Sequence, residues 1–410
     1  MGRRAGTPWA RALGVVALIG IAAAALAPGA EAQGTWSEVA PMPTARMALA
    51  AGVVDGKLYA VGGFVSVGSV GRMTSTTEMY DPSTSAWKTM APMPTARRNM
   101  AVGVMGGKLY AVGGDSDEEH SLDTVEVYDP ATNTWARVAP MPTARSNLAA
   151  GVVGGKLYAV GGFNMYSGSM HDFEVYDPAT DTWEKISVPG YPTERGYLAV
   201  GVVGGELYAV GGYLDRKNGG DRESLDLVQM YDPARNTWVG VASMTTARYR
   251  LVAGVVDGKL YALGGEDDDG NLLSTVEVYD PAGNTWATGA PMPTARSGLA
   301  AGVVDGKLYA LGGYAQGNYL DTVEVYDPAT RTWAAVAPMP TIRRGLAAGA
   351  VDGVLYALGG TNGGRDNIDT VEAYNPAKDT SPPPPKPDSG AAPVAAGAAV
   401  ALACLLGLLL

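Results

Sequence analysis

The sequence predicts an all-β protein of seven four-stranded repeats closed into a ring. Three observations carry this expectation: evenly spaced glycine doublets, a hairpin pattern ahead of each doublet, and a tryptophan that lacks its repeat. The doublets are Gly62-Gly63, Gly113-Gly114, Gly161-Gly162, Gly211-Gly212, Gly264-Gly265, Gly312-Gly313 and Gly359-Gly360, and successive first glycines lie 51, 48, 50, 53, 48 and 47 residues apart. A near-constant period of that size marks an architecture in which each unit buries its apolar face only against its neighbours.

The first two strands of each repeat precede the doublet. Leu49-Ala50-Ala51-Gly52-Val53-Val54, then Asp55-Gly56, then Lys57-Leu58-Tyr59-Ala60-Val61 are two short apolar runs around a tight-turn dipeptide. Asp-Gly and Gly-Gly tolerate the positive φ of a primed turn, so this is a hairpin. A segment of variable length follows the doublet, and then a third run such as Thr124-Val125-Glu126-Val127-Tyr128. Asp129-Pro130-Ala131-Thr132-Asn133 is turn chemistry, because proline presets φ and the Asp and Asn side chains cap local amides. A fourth strand begins around Trp135.

Seven copies agree. Tyr80, Tyr128, Tyr176, Tyr231, Tyr279, Tyr326 and Tyr374 sit on the third strand, and Trp87, Trp135, Trp183, Trp238, Trp286 and Trp333 open the fourth. Four strands per unit with a glycine doublet and spaced Tyr and Trp resemble the Kelch repeat over residues 35–377. The resemblance implies a seven-bladed β-propeller of four-stranded Kelch blades. After Tyr374 no tryptophan appears before the prolines at 382–385, while Thr35-Trp36-Ser37-Glu38-Val39 stands alone at the other end. Closure hides the edges of an open sheet, so the N-terminal strand is expected to complete the blade of Tyr374.

Both ends point to location. Arg3, Arg4 and Arg11 precede an apolar stretch ending near Ala27, and Ala30-Glu31-Ala32 offers small residues for a signal peptidase. Residues 1–32 read as a signal peptide, residues 33–377 as the propeller, 378–390 as a proline-rich tether and 391–410 as a hydrophobic membrane-attachment segment. Small residues near Ser389 followed by an uncharged tail resemble a glycolipid (GPI) anchor signal, with a retained span as the competing reading. The expected location is the secretory pathway and the cell surface. The only cysteine, Cys404, falls in the tail, so no disulfide is expected in the propeller.

The chain has 56 glycines in 410 residues, about twice the usual share, with 17% charged residues and a net charge of −11. That acidity argues against nucleic acid as a partner and leaves the membrane to the C-terminal segment alone. No cofactor is expected. Kelch-type copper oxidases use a cysteine crosslinked to tyrosine, which residues 33–377 cannot supply. His120 and His171 are the only histidines, and neither accompanies a nucleophile motif, so no catalytic residue is assigned. Asp115-Ser116-Asp117-Glu118-Glu119 and Glu266-Asp267-Asp268-Asp269 are rich in oxygen but do not match a full calcium loop.

Two residue sets are the candidate ligand contacts. Arg46, Arg97, Arg145, Arg195, Arg248, Arg296 and Arg343 recur before each first strand, where a ring of guanidinium groups would suit a carboxylate-bearing ligand. Two residues before each third-strand tyrosine comes Glu78, Glu126, Glu174, Gln229, Glu277, Glu324 or Glu372, so a buried structural pairing is the competing reading. Phe64, Phe163, Tyr166, Tyr213, Tyr314 and Tyr319 supply aromatic surface in the variable segments after the doublets. The expected function is a cell-surface module binding a protein or peptide through these loops. A carbohydrate-binding adhesin and an enzyme resembling Kelch-type sugar mutarotases are the alternatives.

Overall fold

A computed structural model describes residues 34–376, apart from 68–69, 165, 167, 170–172, 187–194, 215–222 and 365–366. The leader, the tether, the apolar tail and His171 therefore lie outside the described residues. Among those described, no helix is long and apolar enough to cross a membrane.

Seven antiparallel four-stranded sheets make the ring, as the doublet period predicts. The first blade runs outward from Ala50–Val54 through Lys57–Val61 and Thr77–Asp81 to Ala86–Thr89. The others repeat it, from Ala101–Met105 in the second to Ala300–Val304 in the sixth. The seventh has Ala347–Val351, Val354–Leu358 and Val371–Asn375, and Thr35–Val39 from the far end of the chain adds its outer strand. Trp36 stands opposite Tyr374 in that register, with ring centroids 5.3 Å apart.

Neighbouring blades lock through a recess and a staple. The third residue of every innermost strand is glycine, and a Cβ there would collide with a leucine of the next blade: Gly52 with Leu109, Gly103 with Leu157, Gly302 with Leu355. Each leucine is fully buried, so removing a side chain on one strand lets a larger one fill the space between blades. The staple is the tryptophan of the outer strand. Its ring nitrogen donates to a carbonyl in the connection entering the preceding blade interface: Trp135 to Ala91 at 2.9 Å, Trp183 to Ala139 at 2.9 Å, Trp36 to Ala337 at 2.7 Å. Trp238 departs from this, stacking on Phe173 at 3.8 Å, and residues 187–194 of the connection ahead of its blade lie outside the described residues.

The innermost strands enclose a central channel of ≈ 650 Å3, lined by residues such as Gly52, Val53, Gly103, Val104, Gly151 and Val152. Four of the segments after the doublets fold further than the sequence predicts. Phe64–Val67 pairs with Val70–Met73, Phe163–Asn164 with Gly168–Ser169, Tyr213–Leu214 with Glu223–Ser224, and Tyr314–Ala315 with Asn318–Tyr319. These small hairpins build up one face of the ring around the channel mouth.

Candidate functional site: the channel mouth

The recurrent arginines are not displayed at the mouth. All seven are fully buried, and each guanidinium is enclosed within its own blade. Arg97 shows the arrangement: Nη1 donates to the carbonyls of Gly113 and Thr124, and Nη2 donates to that of Ala111 and to Glu126 Oε2 at 2.8 Å. The side chain thus clamps the turn after the doublet to the third strand, and Thr95 completes the carboxylate with a 2.8 Å hydrogen bond. Equivalent pairs join Arg46 to Glu78, Arg145 to Glu174, Arg248 to Glu277, Arg296 to Glu324 and Arg343 to Glu372, at 2.6 to 2.9 Å. The expectation that Arg46, Arg97, Arg145, Arg195, Arg248, Arg296 and Arg343 contact a ligand is therefore corrected. Their terminal Nη donors are directed at internal acceptors, and no part of the side chains faces solvent.

Burial dominates the electrostatics of these clamps. It pulls Arg46 and Arg97 down to about 10 against the opposing pull of Glu78 and Glu126. Glu372 is pushed up by burial despite Arg343. Arg195 has no carboxylate; it donates to Gln229 Oε1 at 2.8 Å, and desolvation alone lowers it to about 9. The amide nitrogen of Gln229 is buried without a partner.

What reaches the mouth is the pair of residues after each buried arginine. The first of them pairs, backbone to backbone, with the residue that follows the doublet: Met47 with Phe64, Arg98 with Asp115, Ser146 with Phe163, Gly196 with Tyr213, Tyr249 with Glu266, Ser297 with Tyr314 and Arg344 with Thr361. The second turns into the left-handed region in every blade, at φ from 51° to 61°. Main-chain bonds link this position around the ring, as from Asn147 N to Asn99 O at 3.1 Å and from Arg250 N to Tyr197 O at 3.0 Å. The turn belongs to the frame, and the side chains on it vary: Ala48, Asn99, Asn147, Tyr197, Arg250, Gly298 and Gly345.

These positions gather an arginine and tyrosine rim. Arg98 lies over Phe64 at 5.0 Å and pairs with Asp115 at 3.0 Å. Asp115 is itself pushed up by burial, and Asn99 donates to its other oxygen at 2.7 Å. Arg250 lies over Tyr197 and Tyr249, at 5.3 and 5.4 Å. Its partner Glu266 also accepts from Tyr249 at 2.8 Å and from Ser297 at 2.6 Å. Tyr213 packs on Tyr249 at 5.1 Å. Arg344 lies over Tyr314 and Tyr319, at 5.3 and 4.7 Å.

Of the aromatic candidates, the structure brings Phe64, Tyr213, Tyr314 and Tyr319 to this rim, half-buried, Tyr213 against Tyr197 and Tyr249 and the other three under its arginines. Phe163 is half-buried on blade three, and Tyr166 stands out at 75% exposure beyond the rim. The sequence reading missed Arg98, Tyr197, Tyr249, Arg250 and Arg344. The signal was present: these positions change from copy to copy, immediately beside a residue that never changes.

The acidic loops direct their oxygens at protein donors. Asp117 accepts from Met73 N at 3.2 Å, Asp268 from Ser224 N, and Asp267 from Asn271 at 2.8 Å. Among the described residues no group of three or more His, Cys, Asp or Glu is arranged to hold a metal ion.

Known proteins match the same frame. The profile of the KLHDC2/KLHL20/DRC7 Kelch-repeats domain matches residues 48–246 and 199–393. Kelch-like ECH-associated protein 1B of Danio rerio is 41% identical over 88 residues, Kelch-like protein 35 of Homo sapiens 39% over 80, and Kelch-like protein terF of Aspergillus terreus 38% over 84. Each match covers 20 to 21% of this chain, and the chain spans only 15%, 13% and 18% of those relatives' lengths. The solved structure titled "Structure of YjhT" matches with a TM-score of 0.55 at 17% identity, over 68% of this chain and 95% of that one, which speaks for the fold.

Proposed function

This chain belongs to the Kelch-repeat propeller family, and from that premise we propose that it is a protein-interaction module that engages its partner across the channel mouth. The observation that carries the reading is the left-handed turn at the rim. Glycine fills it without strain in blades six and seven, yet blades four and five place Tyr197 and Arg250 there, at φ of 54° and 52°. A bulky side chain in that conformation costs about 1 kcal/mol or more, and such strain persists where a side chain serves a function. Around it the frame is uniform, which is how a rigid scaffold carries a variable recognition surface.

The leader and apolar tail expected from the sequence favour a location at the cell surface, where the partner would be an extracellular protein. The test is binding of the full chain to a panel of secreted and surface proteins, compared with the Tyr197→Gly/Arg250→Gly double variant. Glycine suits the turn, but Arg250→Gly also strips Glu266 of its ion-pair partner, so thermal melting verifies that the variant is folded; the folded variant is expected to lose its partner. A partner bound equally by both proteins would refute the mouth as the site. A carbohydrate ligand is the second reading, favoured by the neighbouring rings of Tyr197, Tyr213 and Tyr249, with Tyr213 centred 6.4 Å from Tyr197 and 5.1 Å from Tyr249. Binding on a glycan array with none on the protein panel would select it.

A further inference from the structure

Blade seven departs from two of its neighbours at the mouth. Blades two and five place Asp115 and Glu266 after the doublet, whereas blade seven has Thr361, followed by Asn362-Gly363-Gly364. An asparagine ahead of glycine is open to attack by its own main chain, because the next residue has no Cβ to obstruct the approach. The asparagines of the outer turns are guarded against this. Asn133, Asn236 and Asn284 precede a β-branched Thr, and their Oδ1 atoms accept from Tyr128, Tyr231 and Tyr279. Asn218-Gly219, the other such pair in the chain, lies outside the described residues.

Two hydrogen bonds prepare Asn362. Its Oδ1 accepts from Gly364 N at 3.0 Å, which folds the side-chain amide back over the following backbone and polarises its carbonyl. Gly363 N donates to Thr361 Oγ1 at 3.3 Å. The neighbouring nitrogen therefore already directs its proton at a hydroxyl oxygen, and the carbonyl oxygen on which charge would develop already faces a donor. Asn362, Gly363 and Gly364 are exposed to water.

We propose that Asn362 is a site of self-modification, a deamidation carried out by Gly363 with the help of Thr361 and Gly364. Gly363 N bonds to Asn362 Cγ while its proton passes through Thr361 Oγ1 to water, and the tetrahedral oxyanion rests on the N–H of Gly364. The Cγ–Nδ2 bond then breaks and ammonia leaves, taking a proton from water. Water opens the resulting five-membered imide at either carbonyl, giving aspartate or isoaspartate. One water is consumed and one ammonia released, with no change of oxidation state. The product gives blade seven a carboxylate at the mouth, as blades two and five have by sequence, and adds a negative charge to a chain already at −11. Either form alters the surface at Tyr319, whose ring lies against Gly363.

The full chain is incubated at pH 8 in buffer and in urea, then digested, and the peptide holding Asn362 is followed by mass spectrometry apart from that holding Asn218. The expected result is conversion at Asn362 in the folded chain at least as fast as in urea, and slower at pH 6. Thr361→Val should slow folded-state conversion roughly tenfold, less than an ideally placed proton acceptor gives because the bond is long, while Thr361→Ser keeps the wild-type rate. In urea, where the contact is lost, all three chains should react alike. Thermal melting of each variant verifies that it is folded. Slower conversion in the folded chain than in urea would overturn the proposal, because the fold would then protect Asn362. Equal folded-state rates in wild type and Thr361→Val would overturn it as well.

Discussion

Gly349 faces Leu58 across the seam between the last blade and the first: a methyl group on the glycine would stand 2.6 Å from the leucine Cδ1. The same recess recurs between every two blades, so the join where the chain ends meet is packed like the others.

Filling one recess should loosen the ring. Gly103→Ala places a Cβ against Leu157 Cδ1 at 2.5 Å and Val152 Cγ2 at 3.2 Å. Overpacking of this kind costs about 1 to 3 kcal/mol, read as a lower urea midpoint. The pair Gly103→Ala/Leu157→Ala should cost less than the sum of its parts, because the smaller side chain makes room for the methyl.

The seam depends on the N-terminal strand. Trp36→Ala removes the 2.7 Å bond to Ala337 and the contact with Tyr374, for an expected loss of about 2 kcal/mol or more. Deleting residues 33–40 strips the whole outer strand and should lower the melting temperature by many degrees. An unchanged melting curve would contradict the closure.

The buried clamps set up a graded series. Glu126→Ala leaves Arg97 charged and unpaired in the core, for an expected cost of about 3 to 5 kcal/mol by chemical denaturation. Glu126→Gln should cost less, since blade four already folds with Gln229 against Arg195. In the reverse direction, Gln229→Glu supplies the missing counter-charge and should raise the melting temperature.

Acid should release the outer turns. Asp129 is held below the ordinary carboxylate range first by the hydrogen bond from Lys108, and Asp177 likewise by Lys156. A depressed folded value means stability present above the unfolded pKa of about 4 and lost as pH falls through the folded value. Lys108→Met should therefore melt slightly lower than wild type at pH 7 and alongside it at pH 2. A constant difference over that range would exclude the pairing as its cause.

The frame was legible because it is written seven times. The doublets fixed the number of blades, and Trp36 without its repeat located the seam. Repetition misled at the mouth: Arg97 and its counterparts drew attention by recurring, yet a residue that recurs beside an equally recurrent Glu126 belongs to the frame. Arg98, Tyr197, Arg250 and Arg344 differ among blades, and their place at the rim depends on a left-handed turn that nothing in Tyr197 or Arg250 announces. The small hairpins were equally hidden, because Tyr314–Ala315 and Asn318–Tyr319 are two-residue strands with no alternation to read.

The seventh sheet takes Thr35–Val39 from one end of the chain and Val371–Asn375 from the other, which ties its completion to biosynthesis. The earliest strand to leave the ribosome must wait for nearly the last one, and contacts so distant in sequence form late. Until then the seventh sheet is expected to keep an open edge in the nascent chain. A circular permutant beginning at Ala50, with Trp36's strand joined directly behind residue 376, would remove that wait and should refold faster than the natural order.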